Sequence, residues 1–484
     1  MGPPCHYAGM IRTLLLAVLL SCAAAPATAQ SVSQADLQSR YDRALAAGYK
    51  ALFLCGALAN AERSGVNRTV ESIEKWELTG LYPEIDDIVP SLAYRVVRAQ
   101  YGMLSHVEVD WDEGMPPRFA RASLEQGCRL GPIGMEPGPA RTELVDKPGF
   151  AGSPVAAFWE NRPRTADDAI ALLPPVPPLT FRDPRFEPVF DRAFDGTYGQ
   201  GTRSTAVVIR QDGRDYPRYA EGFGSFTPQR TWSVAKSIAA TLVGVAVHRG
   251  EVAVEDAGLR KEWAGDARSA ITIDDLLRMS SGRYSDTPGN RTDPLYAGGS
   301  TVEETATGWP LVFEPGKVFR YANNDTLMAV KAVADRSEAF DPAAFFKAVG
   351  MRRTVAETDW AGDYILSSQV WTTAEDLARF GQLYLDDGVL PSGERILPAG
   401  WRAYVSAPSG PQPDGPLGYG AGFWLFDESE GIPADTFAAM GNRGQYVVIV
   451  PSRDIVIVRR GEDPAGARFD IVAFTRDVLA NLTD

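Results

Sequence analysis

Strand-forming runs stand at both ends of a long, mostly helical stretch, and nothing else in the chain constrains the fold as much. Ser204-Thr-Ala-Val-Val-Ile-Arg210 is β-branched, Asp212-Gly213 supplies a turn, and a second strand follows. Far downstream, Gln445-Tyr-Val-Val-Ile-Val450 and Asp454-Ile-Val-Ile-Val-Arg459 flank Pro451-Ser-Arg, a second hairpin. The chain between them is helical in pattern, as over Thr373 to Asp386. Strands at both ends with helices between predict one antiparallel sheet closed by sequence-distant strands, with a helical insert. The expected class is α+β.

At 484 residues the chain is long enough for two or three domains. Residues 1–29 read as a signal peptide. Arg12 is the only charged residue before Asp36, Leu14-Leu-Leu-Ala-Val-Leu-Leu20 is an apolar core too short to span a bilayer, and Ala27-Thr28-Ala29 offers a cleavage site. Met10 is an alternative start that gives a better charged leader. Export to a bacterial periplasm is the expected destination. The alternative is a lipoprotein anchored through Cys22, since Leu19-Leu-Ser-Cys22 resembles a lipobox. No later run looks long and apolar enough to be a membrane helix. Residues 30–130 read as a small α+β domain that starts with a helix from Ala35 to Ala59. Residues 131–184, rich in proline and glycine, read as a linker, and 185–484 as a third region. Without the leader two cysteines remain, Cys55 and Cys128. In an oxidising compartment they make most simply one disulfide, and two buried free thiols are the other reading.

The chemistry concentrates in Thr231-Trp-Ser233-Val-Ala-Lys236. An apolar helix-forming run follows, so Ser233 and Lys236 share one face of a first helical turn. A lysine with a depressed pKa can take the proton of a serine, and the helix N-terminus offers an N–H where an oxyanion would form. Four-residue matches of this kind are common by chance, but the histidines narrow the choice. Only His6, His106 and His248 exist. His6 precedes the leader, His106 lies in a strand-like run far upstream, and His248 sits about 22 Å along the same helix at 1.5 Å per residue. A Ser-His-Asp triad has no usable base. A histidine-rich metal centre is equally unsupported, so no metal or organic cofactor is expected. The net charge of −14, without a basic cluster, argues against nucleic acid as a partner.

Two further segments could complete such a site. Tyr321-Ala322-Asn323 lies in a turn-rich loop entering a helix, where the tyrosine could relay a proton and Asn323 could hold Lys236 or a substrate carbonyl. A packed tyrosine and a helix-capping asparagine fit as well. Gly441-Asn442-Arg443-Gly444-Gln445 precedes a strand, and its edge could supply a second oxyanion N–H or be only a tight turn. Arg443 taken alone reads as a solvated charge. Tyr419, Phe423 and Trp424 fit a core as well as a pocket wall.

In this order and spacing, S-x-x-K, Y-x-N and the glycine-bearing strand edge resemble the serine β-lactamase and penicillin-binding-protein superfamily. The chain is most similar to its class C-like branch, which includes esterases and 6-aminohexanoate-dimer hydrolases. Leu276-Leu-Arg-Met-Ser-Ser-Gly282, Trp371-Thr-Thr-Ala-Glu-Asp-Leu-Ala-Arg-Phe-Gly381 and Gly418-Tyr-Gly420 also look like that branch. The resemblance covers roughly 185–484 and implies a β-lactamase/transpeptidase-like domain. It makes Ser233 the acyl-enzyme nucleophile, Lys236 its base, Tyr321 the proton relay and Asn323 a contact to substrate or lysine. The amides of Ser233 and Gln445 would form the oxyanion hole beside Gly444. Where β-lactamases and carboxypeptidases carry Lys-Thr-Gly, this chain has Asn442-Arg443-Gly444, so Arg443 would have to replace a substrate-carboxylate contact. The expected activity is hydrolysis of a small-molecule ester or amide. A β-lactamase or D-alanyl-D-alanine carboxypeptidase is the alternative among enzymes, and a silent binding protein of the same fold the alternative outside them.

Overall fold

Sheets, not the linker, set the frame. The computed structural model describes residues 31–99, 102–123, 125–140, 181–284 and 292–482. The leader reading and most of the linker reading lie outside the described residues. The chain divides into two units, Met1–Arg40 and Tyr41–Asp484. The described part of the first unit is a helix start, where the Asp36 amide donates to Ser33 Oγ at 3.1 Å. That helix runs Gln34–Ser64, longer at its C-terminal end than the sequence suggests. It is long and apolar enough to cross a membrane, against the sequence expectation, yet 94% of its most apolar window is buried inside the protein.

Four strands follow it, Tyr94–Arg98 (β1), Leu104–Val109 (β2), Arg118–Ser123 (β3) and Gly127–Leu130 (β4), in one antiparallel meander. They pack with the helix into a core that also takes in Trp232 and Trp371 from downstream. Gly56 is a glycine because a Cβ there would lie 2.5 Å from the Trp371 ring. Cys55 on the helix is bridged to Cys128 on β4. The bridge does more than staple the N-terminal region to itself, since the Cys128 amide donates to Glu357 Oε1 at 2.9 Å.

Downstream lie Ser204–Gln211 (β5), Arg214–Tyr219 (β6), Gln229–Arg230 (β7), Val355–Ala356 (β8) and Val370–Thr372 (β9), then Gly418–Tyr419 (β10), Trp424–Leu425 (β11), Phe437–Gly441 (β12), Gln445–Val450 (β13) and Ile455–Gly461 (β14). The two hairpins meet as expected. One seven-stranded antiparallel sheet has the order β10-β11-β12-β13-β14-β5-β6, joined where Val458 pairs with Val208 and Ile457 with Ile209. Side chains alternate between the faces of a strand, and here both faces are covered. Val208, Val447, Ile449 and Val458 enter the large core with the helix Val234–His248. Val207, Ile209, Val448 and Ile457 enter a second core under the helices Glu187–Phe194 and Ile471–Ala480. That double burial explains why these runs are continuously apolar instead of alternating. The fold is α+β, with the helical segments inserted between the strand pairs of the central sheet.

The disulfide closes a loop across a sequence separation of 73. Replacing both cysteines by alanine is expected to cost about 2–4 kcal/mol of stability. Urea denaturation of the oxidised protein should show this loss, and dithiothreitol should shift the wild type toward the variant without moving the variant.

Candidate active site

Ser233 occupies the N-cap of the helix Val234–His248, but its side chain makes no capping bond. The residue before it, Trp232, is held at φ 51°, a left-handed conformation that costs a bulky side chain energy unless packing enforces it. Packing does. Trp232 is buried, with the Arg230 guanidinium 4.3 Å from its ring and Phe53 5.7 Å away. The kink leaves the Ser233 hydroxyl in a half-buried position, facing inward along the first turn.

Lys236 Nζ donates to Ser233 Oγ at 3.1 Å, to Asn323 Oδ1 at 2.6 Å and to the Ser367 carbonyl at 2.9 Å. Lys236 is 1% exposed, and its three acceptors are all neutral. Burial without a compensating carboxylate disfavours the ammonium, and its pKa is lowered to about 7. Near neutrality the amine can therefore take up a proton beside the Ser233 hydroxyl.

Tyr321 is placed over the same pair. Its ring centroid is 5.0 Å from Lys236 Nζ, with Trp424 5.6 Å and Tyr419 6.0 Å from its ring. Burial pushes the phenol above its ordinary value, and hydrogen bonding to Ser233 opposes the rise only in part. Burial thus favours the protonated phenol at Tyr321 and the unprotonated amine at Lys236. Asn323 is the first residue of the helix Asn323–Ala334, and the N-cap is Ala322. Freed from capping, the Asn323 amide spans from Lys236 to Thr292, where Nδ2 donates to Oγ1 at 2.6 Å. Trp424 lines the Tyr321 ring and is half-buried, whereas Phe423 lies in the core.

The strand edge departs from expectation. Arg443 is not a solvated charge. It is buried, its Nε donates to Glu462 Oε2 at 2.8 Å, and its other nitrogens donate to the carbonyls of Trp76, Thr79 and Gly80. The guanidinium is spent on tying the N-terminal region to the hairpin. Gly444 owes its small size to the Arg459–Asp463 ion pair, since a Cβ there would fall 1.6 Å from the Arg459 Nη1. The Gln445 side chain is buried among Arg460, Arg443 and Gly461, and the residue pairs with Gly441 across the ladder.

The glycine that reaches the Ser233 turn is Gly441. A Cβ on it would lie 2.5 Å from the Thr231 carbonyl and 3.0 Å from the Ser233 amide. Neither the Ser233 amide nor that of Asn442, next in the chain, has an acceptor among the described residues. Sequence reasoning also passed over Ser367, Thr292 and Trp232. No motif marks Ser367, because it acts through its carbonyl, whereas the glycine at 441 was visible but not separable from its neighbour at 444.

No side-chain cluster suited to a metal ion occurs among the described residues. A family model described as Beta-lactamase matches residues 190–480. Among solved structures, a putative 6-aminohexanoate-dimer hydrolase from Bacillus anthracis is 21% identical, with a TM-score of 0.49 over 58% of this chain and 78% of that one. A putative beta-lactamase from Bacteroides dorei is 21% identical, with a TM-score of 0.47 over 57% and 90%. The D-alanine carboxypeptidase AmpC from Burkholderia cenocepacia is 19% identical, with a TM-score of 0.45 over 61% and 99%. No curated protein matches the chain.

Since Lys236 accepts a proton only when neutral, the reactivity of Ser233 should rise with pH through about 7 and then level off. Stopped-flow phosphonylation across pH 5 to 9 measures this, with an expected drop of about 10²–10⁴-fold in Lys236→Ala.

Proposed function

The chain belongs to the beta-lactamase family, and from that premise we propose that it is an exported serine hydrolase that cleaves an ester or amide through a Ser233 acyl-enzyme. One observation carries the reading: the Lys236 amine, surrounded only by neutral acceptors, lies 3.1 Å from Ser233 Oγ. Lys236 takes the Ser233 proton as Oγ attacks the substrate carbonyl. The oxyanion is received by the Ser233 amide and, in place of Gln445, by the amide of Asn442 beyond the Gly441 contact. The proton then passes from Lys236 by way of the Tyr321 hydroxyl to the leaving group. Water enters along the same path, gives its proton to the Lys236/Tyr321 pair and frees the acid.

The substrate class follows from what the strand edge lacks. A substrate carboxylate would need a cation there, and Arg443 is committed to Glu462 and the N-terminal carbonyls. Tyr321 and Trp424 instead present aromatic faces at the leaving-group side. Both features support an ester or linear amide without an essential carboxylate over a β-lactam or a D-alanyl-D-alanine peptide. The Cys55–Cys128 bridge supports an oxidising compartment outside the cytosol.

A fluorophosphonate should label the wild type and not Ser233→Ala, and a panel of p-nitrophenyl esters and short amides should be turned over faster than nitrocefin. Absence of labelling would overturn the enzymatic reading. Nitrocefin turnover exceeding that of every ester would overturn the substrate reading alone.

A further inference from the structure

A cavity of about 500 Å³ is bounded by the end of the helix Gln34–Ser64, residues 225–226, the turn at 350–353 and the start of the helix Ala374–Leu385. None of its lining residues belongs to the Ser233 site. Its volume falls in the range of small-molecule sites, roughly 300–1,000 Å³. Four arginines line it, Arg63, Arg352, Arg353 and Arg379, in a chain whose net charge is −14.

Four guanidinium groups around one opening repel one another unless something of opposite charge lies among them. The protein supplies only part of it. Arg379 is paired with Asp376 at 2.7 Å. Arg63 has the neutral Asn60 Oδ1 as its hydrogen-bond partner, at 3.0 Å, with Asp376 and Glu357 near enough to favour its charge. Arg353 stacks 3.9 Å above the Phe226 ring, and its buried Nε has no partner among the described residues. Arg352 is exposed and makes no ion pair among the described residues. Glu375 also lines the cavity, but burial pushes its carboxyl up to about 7, and Tyr219 donates to its Oε1. The Ser64 hydroxyl adds an unpartnered donor. It is buried, the residue is 7% exposed, and no described group bonds its Oγ.

We propose that this cavity binds a polyvalent phosphate, either free or as the phosphate end of a larger ester. Arginine forks match phosphate oxygens two at a time, which a lysine patch does not. Arg352 and Arg353 grip the anion from the turn, Arg63 and the Ser64 hydroxyl from the helix end, and Arg379 closes the far side. The Glu375 carboxyl, once protonated, donates to the same ligand. The N-terminus of the helix Ala374–Leu385 adds little, because Glu375 and Asp376 stand in its first turn.

Calorimetric titration of the full chain with inorganic pyrophosphate, and separately with glycerol 3-phosphate, tests this. The expected result is one saturable site that weakens with added salt, about tenfold or more weaker in Arg352→Gln and partly restored in Arg352→Lys. Ser233 phosphonylation should be unchanged in both variants. Pyrophosphate binding alone identifies the free anion as the ligand, and binding of both identifies the esterified form. Absence of saturable binding at millimolar concentration, equal affinity in Arg352→Gln, or tighter binding of citrate than of either phosphate would overturn the proposal.

Discussion

A buried amine without a counter-charge is the interaction on which the rest of the molecule turns. Lys236 could be stabilised as an ammonium by one carboxylate, and none lies within bonding reach among the described residues. The fold provides an amide oxygen, a main-chain carbonyl and the serine hydroxyl. Those acceptors hold the amine in place without holding its proton. Lowering the pKa of a lysine from its ordinary 10.5 to about 7 is what converts a structural cation into a base.

Each acceptor is fixed by a different part of the chain. Asn323 is held by its place at the start of a helix and by Thr292. The loop at Ser367 and Ser368 is held by Tyr296, whose hydroxyl lies 2.5 Å from Ser367 Oγ, and by Arg230, which donates to Ser368 Oγ at 2.7 Å. Arg230 also lies against the rings of Trp232, Phe53 and Tyr296. One buried guanidinium thereby joins the N-terminal region, the strained residue before Ser233 and the loop that positions the lysine. Arg443 makes a second such tie from the hairpin side. The N-terminal region is in this sense a support for the geometry around Lys236, because it packs on Trp232 and Trp371 and receives Arg443.

Much of this was legible in the sequence, and the limits have physical causes. Periodicity and β-branching located the strands at Ser204, Gln445 and Asp454, because a sheet covered on both faces needs continuous apolar runs. The Ser233–Lys236 spacing was legible because helical geometry fixes it locally. The roles at the strand edge were not. Asn442-Arg443-Gly444-Gln445 reads as one motif in sequence, but a hairpin points successive groups in different directions. Gly441 lies against Thr231 and Ser233, Arg443 turns to the N-terminal carbonyls, and Gly444 makes room for Arg459. Ser367 was invisible for a simpler reason, since a carbonyl is common to every residue. The arginine-lined cavity was invisible because it assembles Arg63, Arg352 and Arg379 across the whole chain.

The central claim is that Lys236 is neutral at the pH where the protein works. Lysine-selective ¹³Cε NMR titration of the full chain, with Lys236→Arg to assign the resonance, measures this directly. A signal that titrates near 7 and vanishes in Lys236→Arg is the predicted result. A Lys236 signal titrating within about one unit of the ordinary lysine value of 10.5 would contradict it, and with it the assignment of lysine as the base.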